Sequence, residues 1–357
     1  MRIVYVVGTR PNFVKMAPVI AALRERLPDG RHAIVHTGQH YDRLMSEVFL
    51  DELGVAEPDH MLGVGSGTHG EQTARVIERL EPVLANERPD LVLVPGDVNS
   101  TLAAALAATK LGIRLGHVES GLRSFDRTMP EEVNRVVADQ LSELLFIHSE
   151  DAVENLRREG IADERVHFVG NTMIDTLVSL EGRFRDADAA GRLGLDAGGY
   201  LLVTLHRPAL VDGPLLEVAM DRLGEVAREL PVVFPVHPRT RKMLGPADRP
   251  GVEIMEPVGY LDFLSLEASA RAVLTDSGGI QEETTYLGIP CFTLRANTER
   301  PVTVRAGTNT VLGLDPERIA AIPALLREGA GANGDPPPLW DGHAAERVAD
   351  VVCAEPG

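Results

Sequence analysis

A glycine-rich turn in the second half of the chain has the composition of a phosphate-binding loop. Its residues, Asp276-Ser277-Gly278-Gly279, follow an apolar run and precede a segment that reads as a helix up to Leu287. Glycines let a bulky anion approach the backbone, and the first N–H groups of a helix point toward such an anion. The Ser277 hydroxyl can donate as well, and Glu283, further along the helix, can accept from a neutral hydroxyl such as that of a ribose. An ordinary turn at the end of a strand has the same composition, so other loops must decide between the two interpretations.

Ionisable and polar side chains recur directly after the predicted strands. They are Arg10, Asp97, Glu119, His206, His237 and Ser277. In a doubly wound parallel sheet the loops that follow the strands lie at one edge, so these groups should converge. Each one alone has an equally good structural explanation, such as an Asx turn at Asp97 or a first-turn carboxylate at Glu131. Together they predict a functional site.

The mixture of charges divides this predicted site into two parts. The donors that suit a diphosphate are Arg10, Lys15, His206, His237 and the turn at Ser277. Carboxylates would repel a diphosphate, so Asp97, Glu119 and Glu131 should face an uncharged part of the ligand, such as a sugar. Carboxyl groups there can transfer protons if burial raises their pKa values. The sequence lacks the spacings of metal, dinucleotide and ATP sites, so we expect neither a metal nor a cofactor.

Composition limits the class of protein. The 357-residue chain exceeds one ordinary core, which predicts two domains of roughly 170 residues each. Its net charge of −18 argues against a nucleic-acid partner. Cys291 and Cys353 lack metal spacing and fit a reducing compartment. The chain begins with a strand rather than a signal peptide, and no apolar run reaches the roughly 20 residues that span a bilayer, so we expect a cytoplasmic protein with no membrane partner.

Strand-like apolar runs alternate with helix-period segments along the chain, which predicts an α/β fold with doubly wound parallel sheets. A strand at residues 2–7 should lead through a turn at residues 8–12 into a helix from about Phe13 to Leu27. The first domain is predicted to cover residues 1–170 and the second residues 171–342.

Within the second half, the polar stretch 181–199 reads as a surface connection. Doubly wound sheets bind ligands beyond the carboxyl ends of their strands. Two such domains therefore predict a ligand in the cleft between them.

The residues that predict the site also carry a family resemblance. The motifs are Gly8-Thr9-Arg10-Pro11, Lys15-Met16-Ala17-Pro18, Pro95-Gly96-Asp97, His117-Val118-Glu119-Ser120-Gly121-Leu122-Arg123, Met129-Pro130-Glu131-Glu132-Val133-Asn134-Arg135, Gly170-Asn171-Thr172, Asp276 to Glu283 and Thr298-Glu299-Arg300-Pro301. In this order they resemble the non-hydrolysing UDP-N-acetylglucosamine 2-epimerases, over nearly the whole chain.

The resemblance implies a GT-B fold, in which two Rossmann-like domains enclose the active site and the C-terminal helix, residues 343–357 here, packs back on the first domain. It implies a homodimer that needs no cofactor and acts on a UDP-sugar. The implied reaction is the reversible conversion of UDP-N-acetylglucosamine (UDP-GlcNAc) to UDP-N-acetylmannosamine (UDP-ManNAc), through elimination of UDP to 2-acetamidoglucal and its re-addition. The product would supply N-acetylmannosamine-type sugars for cell-surface polysaccharide.

The resemblance also implies roles for individual residues. The implied acid/base groups are Asp97, Glu119 and Glu131, with Lys15 and His206 beside them. The residues implied to hold the diphosphate and nucleotide are Arg10, His206, Ser277, Gly278, Gly279 and Arg300, with Phe263 beside the uracil and Glu283 on the ribose. Which carboxylate removes the C2 proton stays open.

The chain departs from the family pattern in three places. Asn12 stands where many members have Glu, and Pro208-Ala209 stand where many have Arg-Glu. We interpret both as marks of a subgroup. Gln39 and His40 correspond to residues that bind an activating UDP-GlcNAc in some bacterial members, whereas the stretch 67–69 departs from the pattern, which leaves allosteric activation open.

The sequence leaves four alternative functions. A GT-B glycosyltransferase would share the Ser-Gly-Gly turn but would not need three carboxylates in the first domain. A hydrolysing epimerase would release free N-acetylmannosamine, and the Gly-Thr-Arg-Pro motif argues against it. A sensor without activity would bind the nucleotide sugar without turnover. A 2-epimerase for a related UDP-sugar, such as a 2,3-diacetamido sugar, is the nearest alternative.

Overall fold

The computed structural model describes residues 1–38, 49–236, 238–244, 249–331 and 335–354. These residues form two compact units. The first contains Met1–Ser179 and Pro338–Gly357, and the second contains Leu180–Pro337. Each unit has one parallel β-sheet with helices between its strands, which confirms the α/β prediction.

The first unit is built on a seven-stranded sheet with the order β3-β2-β1-β4-β5-β6-β7. Its strands are β1 Arg2–Val7, β2 Arg31–His36, β3 His60–Met61, β4 Leu91–Pro95, β5 Arg114–Val118, β6 Leu144–Ile147 and β7 Val166–Phe168. The central strands are continuous apolar runs because helices cover both faces of a parallel sheet. The helices of this unit are Arg10–Arg26, His69–Glu87, Asn99–Lys110, Pro130–Leu141, Asp151–Arg158, Thr172–Ala187 and Ala344–Ala354, with a 3₁₀ turn at Asp163–Arg165.

The first helix begins earlier than the sequence predicted. It runs over Arg10–Arg26, so most of the predicted turn at residues 8–12 is already helical. Pro11 lies in the first turn, where a missing N–H costs nothing. The Asn12 side chain accepts hydrogen bonds from the N–H groups of Gly8 and Thr9, both at 3.1 Å. The Asn12 amide oxygen therefore caps the helix.

The last helix, Ala344–Ala354, packs on helix Arg10–Arg26 within the first unit. Its N-terminus is held by Asp175, which accepts from the N–H groups of Ala344 and Ala345 at 3.1 and 2.6 Å. Burial raises the pKa of Asp175, and those two N–H groups partly offset the effect.

The second unit has a six-stranded parallel sheet with the order β10-β9-β8-β11-β12-β13. Its strands are β8 Leu201–Thr204, β9 Val232–Pro235, β10 Val252–Met255, β11 Ala272–Thr275, β12 Cys291–Thr293 and β13 Asn309–Val311. Its helices after Thr172–Ala187 are Ala189–Arg192, Pro208–Val211, Leu215–Val226, Pro238–Met243, Tyr260–Ser269, Gly278–Leu287, Pro301–Arg305 and Ile322–Arg327, with a 3₁₀ segment at Pro316–Ala321.

The prediction that residues 181–199 form a surface connection is wrong for the first part of that stretch. Helix Thr172–Ala187 extends into it, and the short helix Ala189–Arg192 follows. Ala189 is buried and donates its N–H to the Ser265 hydroxyl at 3.0 Å. The Asp, Ala and Gly composition suggested a loop, but tertiary burial of the alanines stabilises helix there.

Both sheets change their direction of growth at one point, between β1 and β4 in the first unit and between β8 and β11 in the second. In open parallel sheets this switch point opens a crevice beyond the carboxyl ends of the two strands, where ligands bind. Among the described residues no helix is both long and apolar enough to cross a bilayer.

Candidate functional site

The switch point of the first unit carries a buried ion pair between Lys15 and Glu119. Lys15 comes from helix Arg10–Arg26 and Glu119 directly follows β5, and their side chains are only 9% and 8% exposed. Both lie against Gly96, the first residue after β4. A Cβ on Gly96 would lie 3.1 Å from Lys15 Nζ and 3.7 Å from a Glu119 oxygen. Glycine, with a φ of +61°, is therefore required here by both space and backbone conformation.

Asn12 ties the two loops of this switch point together. Its amide nitrogen donates to the carbonyl oxygen of Pro95 at 3.4 Å, while its oxygen caps the loop after β1. The loops after β1 and β4 therefore have a fixed separation.

Asp97 follows Gly96 and forms an ion pair with Arg135, which in turn binds Glu132 at 2.8 Å. The Asp97 side chain is one-quarter exposed, so it is reachable by a ligand while one face is held. Asn134 donates to the backbone carbonyl of Asp97 at 2.9 Å. Helix Pro130–Leu141 thus orients Asp97 through two of its side chains.

In the second unit, the Asp276 carboxylate links the loop after β11 to the loop after β8 at the switch point. Its Oδ2 accepts from the N–H groups of His206 and Arg207 at 2.8 and 2.7 Å, and its Oδ1 lies 3.0 Å from His206 Nδ1. Burial opposes ionisation of Asp276, but these donors hold its pKa below the ordinary value. The carboxylate therefore fixes the orientation of the His206 ring.

Pro208 begins the short helix Pro208–Val211, so the absent N–H belongs to a position that has no partner inside a helix. The substitution at this family-variable position is compatible with the local fold.

The predicted phosphate loop is the N-terminus of helix Gly278–Leu287, with Ser277 as its N-cap. Among the described residues, no protein acceptor binds the N–H groups of Gly278 and Gly279. The Arg300 guanidinium lies directly against Gly278 and is held by Glu282 at 2.8 Å and Glu299 at 3.2 Å. Helix N–H groups and an arginine at one point form a strong anion site.

Further along the same helix, Glu283 is buried and accepts a hydrogen bond from the Tyr260 hydroxyl at 2.8 Å. Burial raises its pKa to about 7, against the opposing effect of Tyr260 and with a contribution from the charge of Glu282. Glu267 is fully buried, and neither of its carboxyl oxygens has a hydrogen-bond partner among the described residues. Burial, followed by the charge of Glu283, raises the pKa of Glu267 well above its ordinary value.

Other predicted site residues are more exposed to solvent. Arg10 is exposed, and its guanidinium lies 5.9 Å from the ring centre of Phe49. Glu131 is half-buried in the first turn of helix Pro130–Leu141. Phe263 is half-buried and packs on an apolar cluster beside β8 and β11, in helix Tyr260–Ser269. Predictions for three further residues, Gln39, His40 and His237, lie outside the described residues.

Sequence reasoning missed the residues that hold the predicted ones. They are Arg135 on Asp97, Asp276 on His206, and Glu282 and Glu299 on Arg300, all of which lie in the motifs without a role being assigned to them. The available signal was the density of charged residues inside the motifs, where an apolar helix face would otherwise be expected.

Comparison with known proteins identifies the family. The family model described as UDP-N-acetylglucosamine 2-epimerase matches residues 22–353. The chain belongs to the UDP-N-acetylglucosamine 2-epimerase family. The resemblance inferred from the motifs is thereby confirmed.

Three relatives illustrate the likeness. The chain is 42% identical to a UDP-N-acetylglucosamine 2-epimerase of Methanococcus maripaludis, over 98% of both chains. It is 40% identical to a UDP-2,3-diacetamido-2,3-dideoxy-D-glucuronate 2-epimerase of Pseudomonas aeruginosa, over 99% of both. Its structure is similar to that of the Methanocaldococcus jannaschii UDP-GlcNAc 2-epimerase in complex with UDP-GlcNAc and UDP, with a TM-score of 0.89, 38% identity, and coverage of 99% of this chain and 100% of that one. The pair of Rossmann-like units is that of the GT-B class, as predicted.

Proposed function

We propose that this epimerase-family protein interconverts UDP-GlcNAc and UDP-ManNAc by inverting C2 of the sugar. The observation that carries the proposal is the pair of carboxylates, Asp97 and Glu119, that follow neighbouring strands and are each held by a cation. Family membership and the relative that binds UDP-GlcNAc support the choice of substrate.

In the proposed reaction one carboxylate removes the proton from C2. The bond between C1 and the UDP oxygen breaks, UDP leaves with the electron pair, and 2-acetamidoglucal remains. A C2 proton is only weakly acidic, so its removal must be coupled to departure of a stabilised anion. Asp97, Glu119 and Glu131 are the proposed acid/base groups, with Lys15 holding Glu119 in position.

The return step protonates C2 from the opposite face and re-forms the bond between C1 and the UDP oxygen. A carboxylic acid on the other side of the ring supplies that proton, so two different carboxyl groups are needed for inversion. The described residues offer three candidates, Asp97, Glu119 and Glu131.

We propose that the second unit holds the UDP. The N–H groups of Gly278 and Gly279, together with Arg300 and His206, would bind the diphosphate. Glu283 would accept from the ribose hydroxyls, and Phe263 would contact the uracil. Arg10, at the start of the first helix of the other unit, would contact the leaving phosphate.

Proton NMR of the purified protein with UDP-GlcNAc in D₂O tests the proposal. We expect UDP-ManNAc to appear, with deuterium at C2 of both epimers. Release of free N-acetylmannosamine and UDP would show a hydrolysing enzyme instead. Binding without any deuterium exchange would contradict catalysis on this sugar.

The sugar preference needs a separate comparison, because the chain is almost equally similar to relatives named for different sugars. We propose UDP-GlcNAc as the better substrate and expect the higher kcat/KM for it than for a UDP-2,3-diacetamido sugar. The opposite order would reassign the sugar while leaving the type of reaction unchanged.

We further propose that the protein works as a cytoplasmic homodimer, as the family resemblance implies. Sedimentation equilibrium should give twice the chain mass of 38.6 kDa. A monomeric mass at working concentrations would contradict it.

A further inference from the structure

His117 uses both of its ring nitrogens inside the core of the first unit. The residue lies on β5, two positions before Glu119, and is 0% exposed. Its Nδ1 lies 2.6 Å from Oδ1 of Asp139, and its Nε2 lies 2.7 Å from the carbonyl oxygen of Gly96. A carbonyl oxygen can only accept, so Nε2 must carry a hydrogen.

The other ring nitrogen must carry a hydrogen too, because Asp139 is ionised. Its second oxygen accepts from Arg123 at 2.7 Å and from the N–H of Gly121 at 3.1 Å. An ionised carboxylate has no hydrogen to donate, so Nδ1 is the donor.

The charged groups around His117 are Asp139, Arg123 and Glu159, and the Glu159 side chain is 26% exposed. Arg123 also binds Glu159, through two bonds of 2.8 and 2.6 Å. With a charged His117, this cluster contains two cations and two anions and is neutral. With a neutral His117, the four groups would carry one net negative charge, and Glu159 is partly exposed to solvent, so the protonation state follows from the two hydrogen bonds of the ring.

We propose that His117 is a doubly protonated imidazolium that positions Asp97 for catalysis. The link is the peptide bond between Gly96 and Asp97. The Gly96 N–H donates to the Val118 carbonyl at 2.9 Å, and the Gly96 carbonyl accepts from His117. The peptide planes before and after Gly96 are therefore each fixed by β5, the strand that also leads to Glu119, and the second of them leads into Asp97.

This inference rests on the proposed function only for its catalytic consequence. No described hydrogen bond joins His117 to any of the three candidate acid/base carboxylates, Asp97, Glu119 and Glu131, so it is a positioning residue. An imidazolium serves better than a neutral ring because either neutral tautomer would lose one of the two bonds. A charged donor also makes a shorter and stronger hydrogen bond.

The protonation state can be tested without any substrate. Long-range ¹H–¹⁵N correlation spectra of the histidine-labelled protein at pH 7.5 report whether each ring nitrogen carries a hydrogen. We expect both nitrogens of His117 to be protonated. Buried His36 is the internal contrast, because burial lowers its pKa to about 4 and it should show one bare nitrogen. A bare ring nitrogen on His117 would overturn the proposal.

The positioning role is tested by kinetics. His117→Gln and Asp139→Asn should each lower kcat by about 100-fold, as expected for a small misplacement of a catalytic group, with KM changed much less. The double variant should be little worse than either single one, because the two residues act as a unit.

His60→Gln is the matched control for the kinetics. His60 is a half-buried histidine bonded to the carboxylate of Glu87 at 2.7 Å, and it lies on edge strand β3, which β2 and β1 separate from β4. It should keep wild-type kinetics. Wild-type kcat in a folded His117→Gln protein, or fully additive losses in the double variant, would overturn the proposal. If the His117→Gln protein does not fold, the kcat of Asp139→Asn and the histidine spectrum of the wild-type protein still test the proposal. A wild-type protein without turnover would refute the proposed function, whereas the spectrum would be unaffected.

Discussion

The Arg300 guanidinium occupies the space that any side chain on Gly278 would need. Gly278 is the first residue of helix Gly278–Leu287, so the arginine lies against the N–H groups that start the helix. Its charge is balanced by Glu282 and Glu299, which hold it in place. This contact explains the glycine as a requirement for cation placement rather than for an unusual backbone angle.

Gly278→Ala should therefore weaken UDP binding by displacing Arg300. Loss of a charge-assisted hydrogen bond of about 1.5–3 kcal/mol corresponds to roughly 10- to 100-fold in affinity. Isothermal titration calorimetry with UDP measures the change. Gly182→Ala is the matched control, because a Cβ there meets nothing within 4 Å and the position lies inside a helix. Unchanged UDP affinity in Gly278→Ala would show that Arg300 does not bind the nucleotide.

Lys15 and Glu119 should depend on each other for stability. Lys15→Met leaves a buried carboxylate and Glu119→Gln leaves a buried ammonium, so each should cost about 3–5 kcal/mol in the free energy of unfolding. The double variant should recover most of that loss, because no buried charge remains. Urea unfolding measures all three. Additive losses would contradict a coupled pair, and turnover near the wild-type rate in Glu119→Gln would exclude that residue as an acid or base.

Asp97→Asn should remove turnover and keep nucleotide binding. The amide preserves the shape but cannot transfer a proton, so kcat should fall by about 10³-fold while the dissociation constant for UDP stays similar. The rate of deuterium entry at C2 is the measurement. Asp163→Asn is the matched control, since Asp163 also pairs with an arginine, Arg157 at 2.9 Å, but on the exposed surface. Exchange at the wild-type rate in Asp97→Asn would remove Asp97 from the mechanism.

Nucleotide affinity should depend on the ionisation of Glu283. Its pKa is raised to about 7 by burial, so the carboxylate that can accept both ribose hydroxyls forms only as the pH rises through that value. UDP affinity should therefore rise between pH 6 and 8. Glu283→Gln should lose this rise, which separates it from the ionisation of the phosphate itself. The same pH profile in both proteins would contradict ribose binding by Glu283.

The free energy of unfolding should fall as the pH rises, whereas the UDP affinity should rise. Between the ordinary carboxyl pKa of 4.5 and about 7, folded Glu283 keeps a proton that the unfolded chain has lost, so stability falls as pH rises. At pH 8, Glu283→Gln should be more stable than wild type by up to about 3 kcal/mol. Glu217→Gln, at an exposed position, should have no such effect. Equal denaturation midpoints for wild type and Glu283→Gln at pH 8 would show that the buried, ionised Glu283 carboxylate does not lower the stability of the protein.

Sequence could predict the strands and the loops that follow them because both have local causes. Continuous apolar runs mark strands of a covered parallel sheet, and the topology then places the residues after β4 and β5 at one edge. The placement of Asp97 and Glu119 at the same edge follows from that rule alone. Helix starts were less predictable, since Pro11 suggested a turn when it occupies the first turn of a helix.

The partners of the site residues could not be predicted from the sequence because they depend on which helix packs where. Nothing local to Asp97 indicates that Arg135, 38 residues away, forms its ion pair. The state of Glu283 likewise depends on burial and on the neighbouring Glu267, which lies 16 residues earlier on another helix. Ionisation in a core depends on every group packed around it.

Helix Pro130–Leu141 has a consequence for how the first unit can evolve. Arg135 and Asn134 hold the loop after β4, whereas Glu132 and Asp139 hold the loop after β5 through Ser124 and Gly121. We therefore expect both loops to open only when this helix detaches from the sheet. The amide hydrogens of the two loops should then exchange with solvent at similar rates. A substitution that adapts one loop to a new sugar changes the support of the other. We expect sugar specificity in this lineage to change through paired substitutions on this helix rather than through single replacements in the loops.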